Sequence, residues 1–364
     1  MIRIAQPLLG REERDAVLAV LDSGQLVNGP VTQQLEREFA ARVSHTAEAV
    51  AVANGTAALH LALLAHGIGP GDEVITTPFT FQATANMVLA VGAKPLFVDV
   101  GDDANIDASL IEHAVTPMTK AVMPVHLYGR LADMAAIEDV AKRRGLIIIE
   151  DAAQAQGAES CGRSAGSFGT GCFSFYATKN MTAGEGGMVT TNDAEVAARL
   201  RLLRSHGETA RYSSSMLGFN YRLTEMGAAI ALAQLHKLAA FNEKRLANAR
   251  YLSEHLHGVT LPPRAWDGES VWHQYTVRVP SGRDELAEWL KARGIQTSVY
   301  YPTPVPDQPL YRGKGYDGAS CPSARRLARE VLSLPVHPAL SQDDLERIVA
   351  AVNEWTAGHG TAVD

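Results

Sequence analysis

Short apolar runs recur through the first two-thirds of this chain, and a stretch of helical periodicity separates each from the next. That rhythm constrains the fold more than any other feature. Strand-like runs fall at 73–77, 95–100, 121–127, 146–150, 172–176 and 188–191, and amphipathic helical patterns at 12–21, 31–43, 56–65, 81–91, 108–114 and 133–144. The runs are continuously apolar rather than alternating, so both faces of each strand are buried. A strand joined to the next by a helix-length crossover pairs with it in parallel. The expected fold is α/β, with a mixed, mostly parallel sheet flanked by helices.

Beyond residue 224 the pattern changes. A long helical stretch covers 224–257, with a break expected at Phe241-Asn242. Shorter elements follow at 272–279, 284–293, 295–301, 322–332 and 342–355, and the Pro/Gly-rich segment 302–318 reads as a long loop. We therefore expect a large domain over 1–240 and a smaller C-terminal α/β domain over 241–364. A chain of 364 residues has room for both.

Composition excludes several classes of function. A net charge of −7 argues against nucleic acid or an anionic membrane as partner. No apolar run is long enough to span a bilayer, and the first residues lack a basic flank followed by an apolar core. The three cysteines form no C-x-x-C pair, which fits a reducing cytoplasm. No zinc-ligand spacing, Walker A pattern or G-x-G-x-x-G turn is present, so no metal or dinucleotide is expected.

Lys179 lies in GCFSFYATKNMTAGEGGMV, a segment with one lysine and one glutamate among small, apolar and aromatic residues. A lysine buried there would favour its neutral amine, the form that attacks a carbonyl; an edge lysine reaching water is the other reading. Asp151 follows the strand LIIIE, at the end of an α/β sheet where ligands bind. It could hold a protonated ring nitrogen or simply cap the next turn. Asn54-Gly55-Thr56 opens a helix with no acid in its first turn, a seat for phosphate or a plain cap. Ser174 is a second phosphate donor or an ordinary strand serine. Phe81 could stack on a flat ligand or belong to the core. His126 and His206 read first as structural histidines.

The order of these segments carries more than any one of them. ANGTAAL, TPFTFQATANMV, PVHLYGR, IIIEDAAQAQGA, FSFYATKNMTAGEGG and LGFNYRLTEMGAA together resemble the DegT/DnrJ/EryC1/StrS family of sugar aminotransferases, over nearly the whole chain. The resemblance implies the fold type I architecture of enzymes that use pyridoxal 5'-phosphate (PLP), and a homodimer with shared active sites. It implies that Lys179 carries PLP as a Schiff base and shuttles the proton, and that Asp151 partners the pyridine nitrogen. It implies that Gln154 contacts the ring hydroxyl, and that Gly55, Thr56 and Ser174 hold the phosphate. Phe81 would stack on the ring, and Asn220 would reach the phosphate of the neighbouring subunit. Lysine at position 179 matches the transaminating branch of the family, where the dehydrating branch has histidine.

The expected reaction moves an amino group from glutamate to a keto-sugar nucleotide. GEGG after the lysine resembles the subgroup with 4-keto-sugar and aminocyclitol enzymes, which tilts the expectation toward a 4-keto over a 3-keto substrate. Amination of a cyclitol or other cyclic ketone, a non-catalytic PLP-binding regulator and a nucleotide-dependent oxidoreductase are the alternatives.

Overall fold

The computed structural model describes residues 1–265 and 268–359. A seven-stranded sheet is built from β1 (Glu48–Val52), β2 (Glu73–Thr76), β3 (Lys94–Phe97), β4 (Thr119–Met123), β5 (Ile147–Asp151), β6 (Thr170–Ser174) and β7 (Gly187–Thr191). Their spatial order is β1-β7-β6-β5-β4-β2-β3. β2 is parallel to β3 and β4, β4 to β5, and β5 to β6; β7 alone runs against its neighbours β1 and β6. The mixed, mostly parallel sheet expected from the sequence is thus observed. The helices are α1 (Arg11–Ser23), α2 (Pro30–Phe39), α3 (Gly55–Ala65), α4 (Ala83–Ala90), α5 (Ala108–Ala114), α6 (Met134–Arg144), α7 (Ala194–Arg204), α8 (Glu225–Leu235), α9 (Leu238–His255), α10 (Arg283–Ala292), α11 (Pro322–Glu330) and α12 (Gln342–His359).

Successive strand residues face opposite layers, as the two-residue period of a strand requires. Val50 and Val52 of β1, Val74, Met123, Ile149, Cys172 and Val189 pack with α3 and α7. Ala49, Ala51, Phe173 and Met188 point the other way, onto α2 and α8. Ile75 and Val122 meet α5 and α6 on that second side. Asn54, Asp107, Asp133, Asp193 and Thr224 each accept a backbone N–H in the first turn of α3, α5, α6, α7 and α8, and so set where those helices begin.

Several expectations need correction. The sequence reading placed no strand between its helices at 31–43 and 56–65, yet β1 lies there; its alternating Ala and Val are small and weak as a strand signal. The helix expected over 224–257 breaks at His236-Lys237, not at Phe241-Asn242. Asn242 stays inside α9, where its Nδ2 donates to the Gln156 carbonyl (2.9 Å) and its Oδ1 accepts from Asn180 (2.9 Å). A poor helix former is kept there for its side-chain contacts. The helix expected from Phe81 starts at Ala83. The element expected over 295–301 is reduced to isolated bridges, Ile295 with Ile2 and Ser298 with Ser333. The segment 302–318 contains two helical turns, Val305–Asp307 and Pro309–Arg312, and buries Val305 and Tyr311 against Ala85.

The C-terminal elements gather a core of their own. β8 (Tyr275–Arg278) pairs antiparallel with β9 (Val331–Leu334). Tyr275, Val277, Leu332 and Leu334 pack with Leu252 of α9, Leu286 and Leu290 of α10, and Ile348, Val352 and Trp355 of α12. Ile2 joins that core from the opposite end of the chain.

Candidate active site

The parallel strands bring their carboxyl ends to one edge of the sheet, where the loops converge and line a cavity of about 560 Å³. Asp151, Gln154, Ser174, Lys179, Gly55, Thr56 and Phe81 all line it.

Asp151 is the last residue of β5 and is 5% exposed. Thr84 Oγ1, on α4, donates to its Oδ2 at 2.7 Å, and the Ala153 N–H to its Oδ1 at 3.2 Å. Burial pushes the carboxyl pKa up; the Thr84 and Ala153 hydrogen bonds and the charges of Lys179 and His126 pull it back. Lys179 sits on the loop between β6 and β7. That loop is pinned at its base, where Phe175 N–H donates to the Gly186 carbonyl (2.7 Å) and Ala183 N–H to that of Phe175 (2.9 Å). Burial lowers the Lys179 pKa from 10.5 to about 8, against the pull of Asp151. The surface lysine left open by the sequence is therefore not what is found: Lys179 is half-buried on the cavity wall, and its pKa falls to about 8.

Gly55 opens α3 beside Ser174. A Cβ on residue 55 would lie 2.8 Å from the Cβ of Ser174, so only glycine permits this approach. Asn54 accepts the N–H of Ala57 at 2.8 Å, and the earlier amides of the turn have no intrahelical partner. With no acid in that turn, the Ser174 hydroxyl and the start of α3 form a pocket wall suited to an anion.

Gln154 is fixed from two directions. Its Oε1 accepts the Tyr128 N–H at 2.7 Å, and its Nε2 donates to the Tyr301 hydroxyl at 2.7 Å. Phe81 is 53% exposed, so its ring belongs to the cavity rim and not to the core. Asn220 is the one residue of the expected set that lies outside the cavity; it is exposed and bridges Ser205. His126 is wholly buried, accepts the Ala132 N–H at Nδ1 and meets Glu150 at 3.0 Å. Glu150 also takes the amides of Gly166, Phe168 and Gly169. This pair is structural. His206 does not line the cavity, whereas Tyr300 and Tyr301 do.

Sequence reasoning missed Thr84, His273, Gln274 and Glu185. His273 lies beside the lysine, with its pKa well below the ordinary value through burial and the charges of Lys179 and Arg245. It is therefore neutral, and its Nδ1 is 3.1 Å from Asn180 Oδ1. Only the stretch TPFTFQATAN gave a usable signal for Thr84: a hydroxyl one helical turn after Thr80, 3.1 Å away in the structure. The whole arrangement can hold an anion at α3, a protonated ring nitrogen at Asp151, and a carbonyl carbon within reach of a nucleophilic amine.

The sequence pattern of the DegT/DnrJ/EryC1/StrS aminotransferase family matches residues 7–353. A Streptomyces venezuelae protein named dTDP-3-amino-3,4,6-trideoxy-alpha-D-glucose transaminase is 47% identical over 352 residues, 95% of this chain and 92% of its own length. A Geobacillus stearothermophilus protein named a pleiotropic regulatory protein is 45% identical over 344 residues, 92% of each chain. Among solved structures, S. venezuelae DesV superposes with a TM-score of 0.91 at 46% identity, covering 95% of this chain and 94% of that one.

Proposed function

The chain belongs to the DegT/DnrJ/EryC1/StrS aminotransferase family, and from that premise we propose that it uses PLP at Lys179 to move an amino group from glutamate to a keto-sugar nucleotide. The observation that carries the reading is the meeting of Lys179, Asp151 and the Gly55–Ser174 approach on one cavity. The donor set fits PLP. An aldehyde needs a neutral amine, which burial makes more accessible at Lys179; a phosphate needs the wall that glycine at 55 leaves open, and a pyridine nitrogen needs the carboxylate of Asp151.

PLP, when bound, supplies an electron sink for the carbon that loses or gains the amino group. The chain's own residues supply position and charge. Gly55, Thr56 and Ser174 would hold the phosphate, and Phe81 would cover a ring face. Asp151, oriented by its hydrogen bonds from Thr84 and Ala153, would hold a proton on the ring nitrogen. Gln154 would bind the ring oxygen. Lys179 would anchor the aldehyde carbon and, when released, move the proton at the reacting carbon; its pKa near 8 suits both tasks.

The S. venezuelae relative is named for an amino group at C3, which weighs against the tilt toward C4 drawn from GEGG. C3 and C4 ketones are therefore two arms of one test. The relative named as a regulator favours a second reading, PLP binding without turnover. Borohydride should fix PLP to the peptide containing Lys179. The protein should then be offered 3-keto and 4-keto nucleotide sugars and a cyclitol ketone, with glutamate or glutamine as donor, and the products weighed by mass. Labelling of another lysine overturns the site, and PLP bound at Lys179 with no amination of any ketone supports the regulator.

A further inference from the structure

Gln154 has an orientation that its surroundings dictate. An amide side chain can be turned over with little change in shape, and its flip must be argued from its partners. Here one partner is a backbone N–H, that of Tyr128, which can only donate, so the atom facing it is Oε1. The other end is then Nε2, and it meets the Tyr301 hydroxyl at 2.7 Å. An amide nitrogen carries two protons. One is given to Tyr301, and the other is left on a residue that lines the cavity.

Both partners are held in costly conformations. Tyr128 has φ 59° and Tyr301 φ 62°, a region that bulky residues rarely occupy and that concentrates at functional sites. Their rings stack, with centroids 6.4 Å apart and planes within 18°, and Phe79 meets Tyr301 edge-on at 5.8 Å. Tyr301 comes from a segment tied down on both sides. Before it, Ser298 and Ser333 exchange backbone hydrogen bonds (3.2 and 2.8 Å); after it, Val305 N–H donates to the Pro78 carbonyl (2.8 Å). The phenol is thus suspended between the C-terminal core and the sheet edge, against one side chain of the cavity.

We propose that Tyr301 is a positioning residue: its phenol holds the Gln154 amide so that the second N–H is presented to an oxygen acceptor of the group bound in the cavity. Tyr128 sets which end of the amide is the donor, and Tyr301 sets where that donor points. Without the phenol, the amide keeps its flip but turns more freely about its last torsion, and the hydrogen bond to the bound oxygen weakens. The inference rests on the reading that PLP is the bound group.

The test is a double-mutant cycle on PLP affinity, measured by titrating cofactor-free protein. Tyr301→Phe keeps the ring, its stack and its edge contact, and removes only the hydroxyl. PLP binding should weaken about tenfold in this variant, the scale of one well-placed hydrogen bond. In a Gln154→Ala background the same substitution should change binding less than about twofold. The melting temperature of the cofactor-free protein should match between wild type and Tyr301→Phe. An equal loss in both backgrounds, or no loss in either, overturns the inference while leaving PLP binding intact. A wild-type chain that takes up no PLP overturns both.

Discussion

At the scale of single residues, Lys179 shows how the fold shifts a side chain that is normally a cation toward its neutral form. Burial disfavours the ammonium and brings the pKa from 10.5 to about 8. The amine is therefore mostly protonated below pH 8 and mostly neutral above it. Capture of PLP by the cofactor-free protein should accelerate as pH rises through about 8, read by the growth of the yellow absorption under rapid mixing. A rise delayed to pH of about 10, where an exposed lysine titrates, would show that burial does not lower its pKa. The same depression makes the lysine a cost to the cofactor-free fold, full below pH about 8, shrinking as pH rises from there toward 10.5, and gone above that value. Lys179 and Asp151 were legible in the sequence because each stands at a strand end or in a nearly uncharged loop. Thr84, His273 and the contact made by Tyr301 were not, since each gains its role from a segment far away in the chain.

At the scale of elements, α3 is the clearest case of a helix whose start is shaped by a neighbouring strand. Asn54-Gly55-Thr56 reads as a phosphate seat or a plain threonine cap; the structure shows a cap, made by Asn54 and not by Thr56, and sets Gly55 against Ser174. Gly55→Ala should help the isolated helix, because alanine is the better helix former. It should nevertheless weaken PLP binding about tenfold or more, through the enforced clash with Ser174 and lost access to the first-turn amides. Titration of the cofactor-free variant, with circular dichroism to confirm unchanged helix content, checks this; undiminished affinity would place the phosphate elsewhere. Other elements were harder to read. β1 escaped because alanine alternating with valine carries little apolar contrast, although the sheet buries both faces of it. The break between α8 and α9 was misplaced because Asn242 looks like a helix stop and instead spends its polarity on Gln156 and Asn180.

At the scale of the whole molecule, we propose that two copies complete each site and that the chain divides near residue 240. Phe81 and Tyr176 are 53% and 47% exposed on the cavity rim, and Tyr212 and Leu217 are 84% and 80% exposed on the stretch leading to Asn220. Asn220 itself does not line its own cavity. If it serves the partner's phosphate, mixing inactive Lys179→Ala with an impaired Asn220→Asp should restore activity. Random reassortment of equal amounts gives about half mixed dimers with one sound site of two, hence roughly a quarter of wild-type activity. With exchange confirmed by tagged chains, no recovery would assign Asn220 to its own subunit. The division near 240 also has an exception that bears on how the chain is made. Ile2 is packed among Leu252, Ile295, Leu332 and Val352, partners that leave the ribosome long after it does. Its backbone partners are Gly294 and Gln296, so in the order of synthesis these early residues stay unpaired until nearly three hundred residues have been made, and the central sheet is complete in sequence before they can be placed.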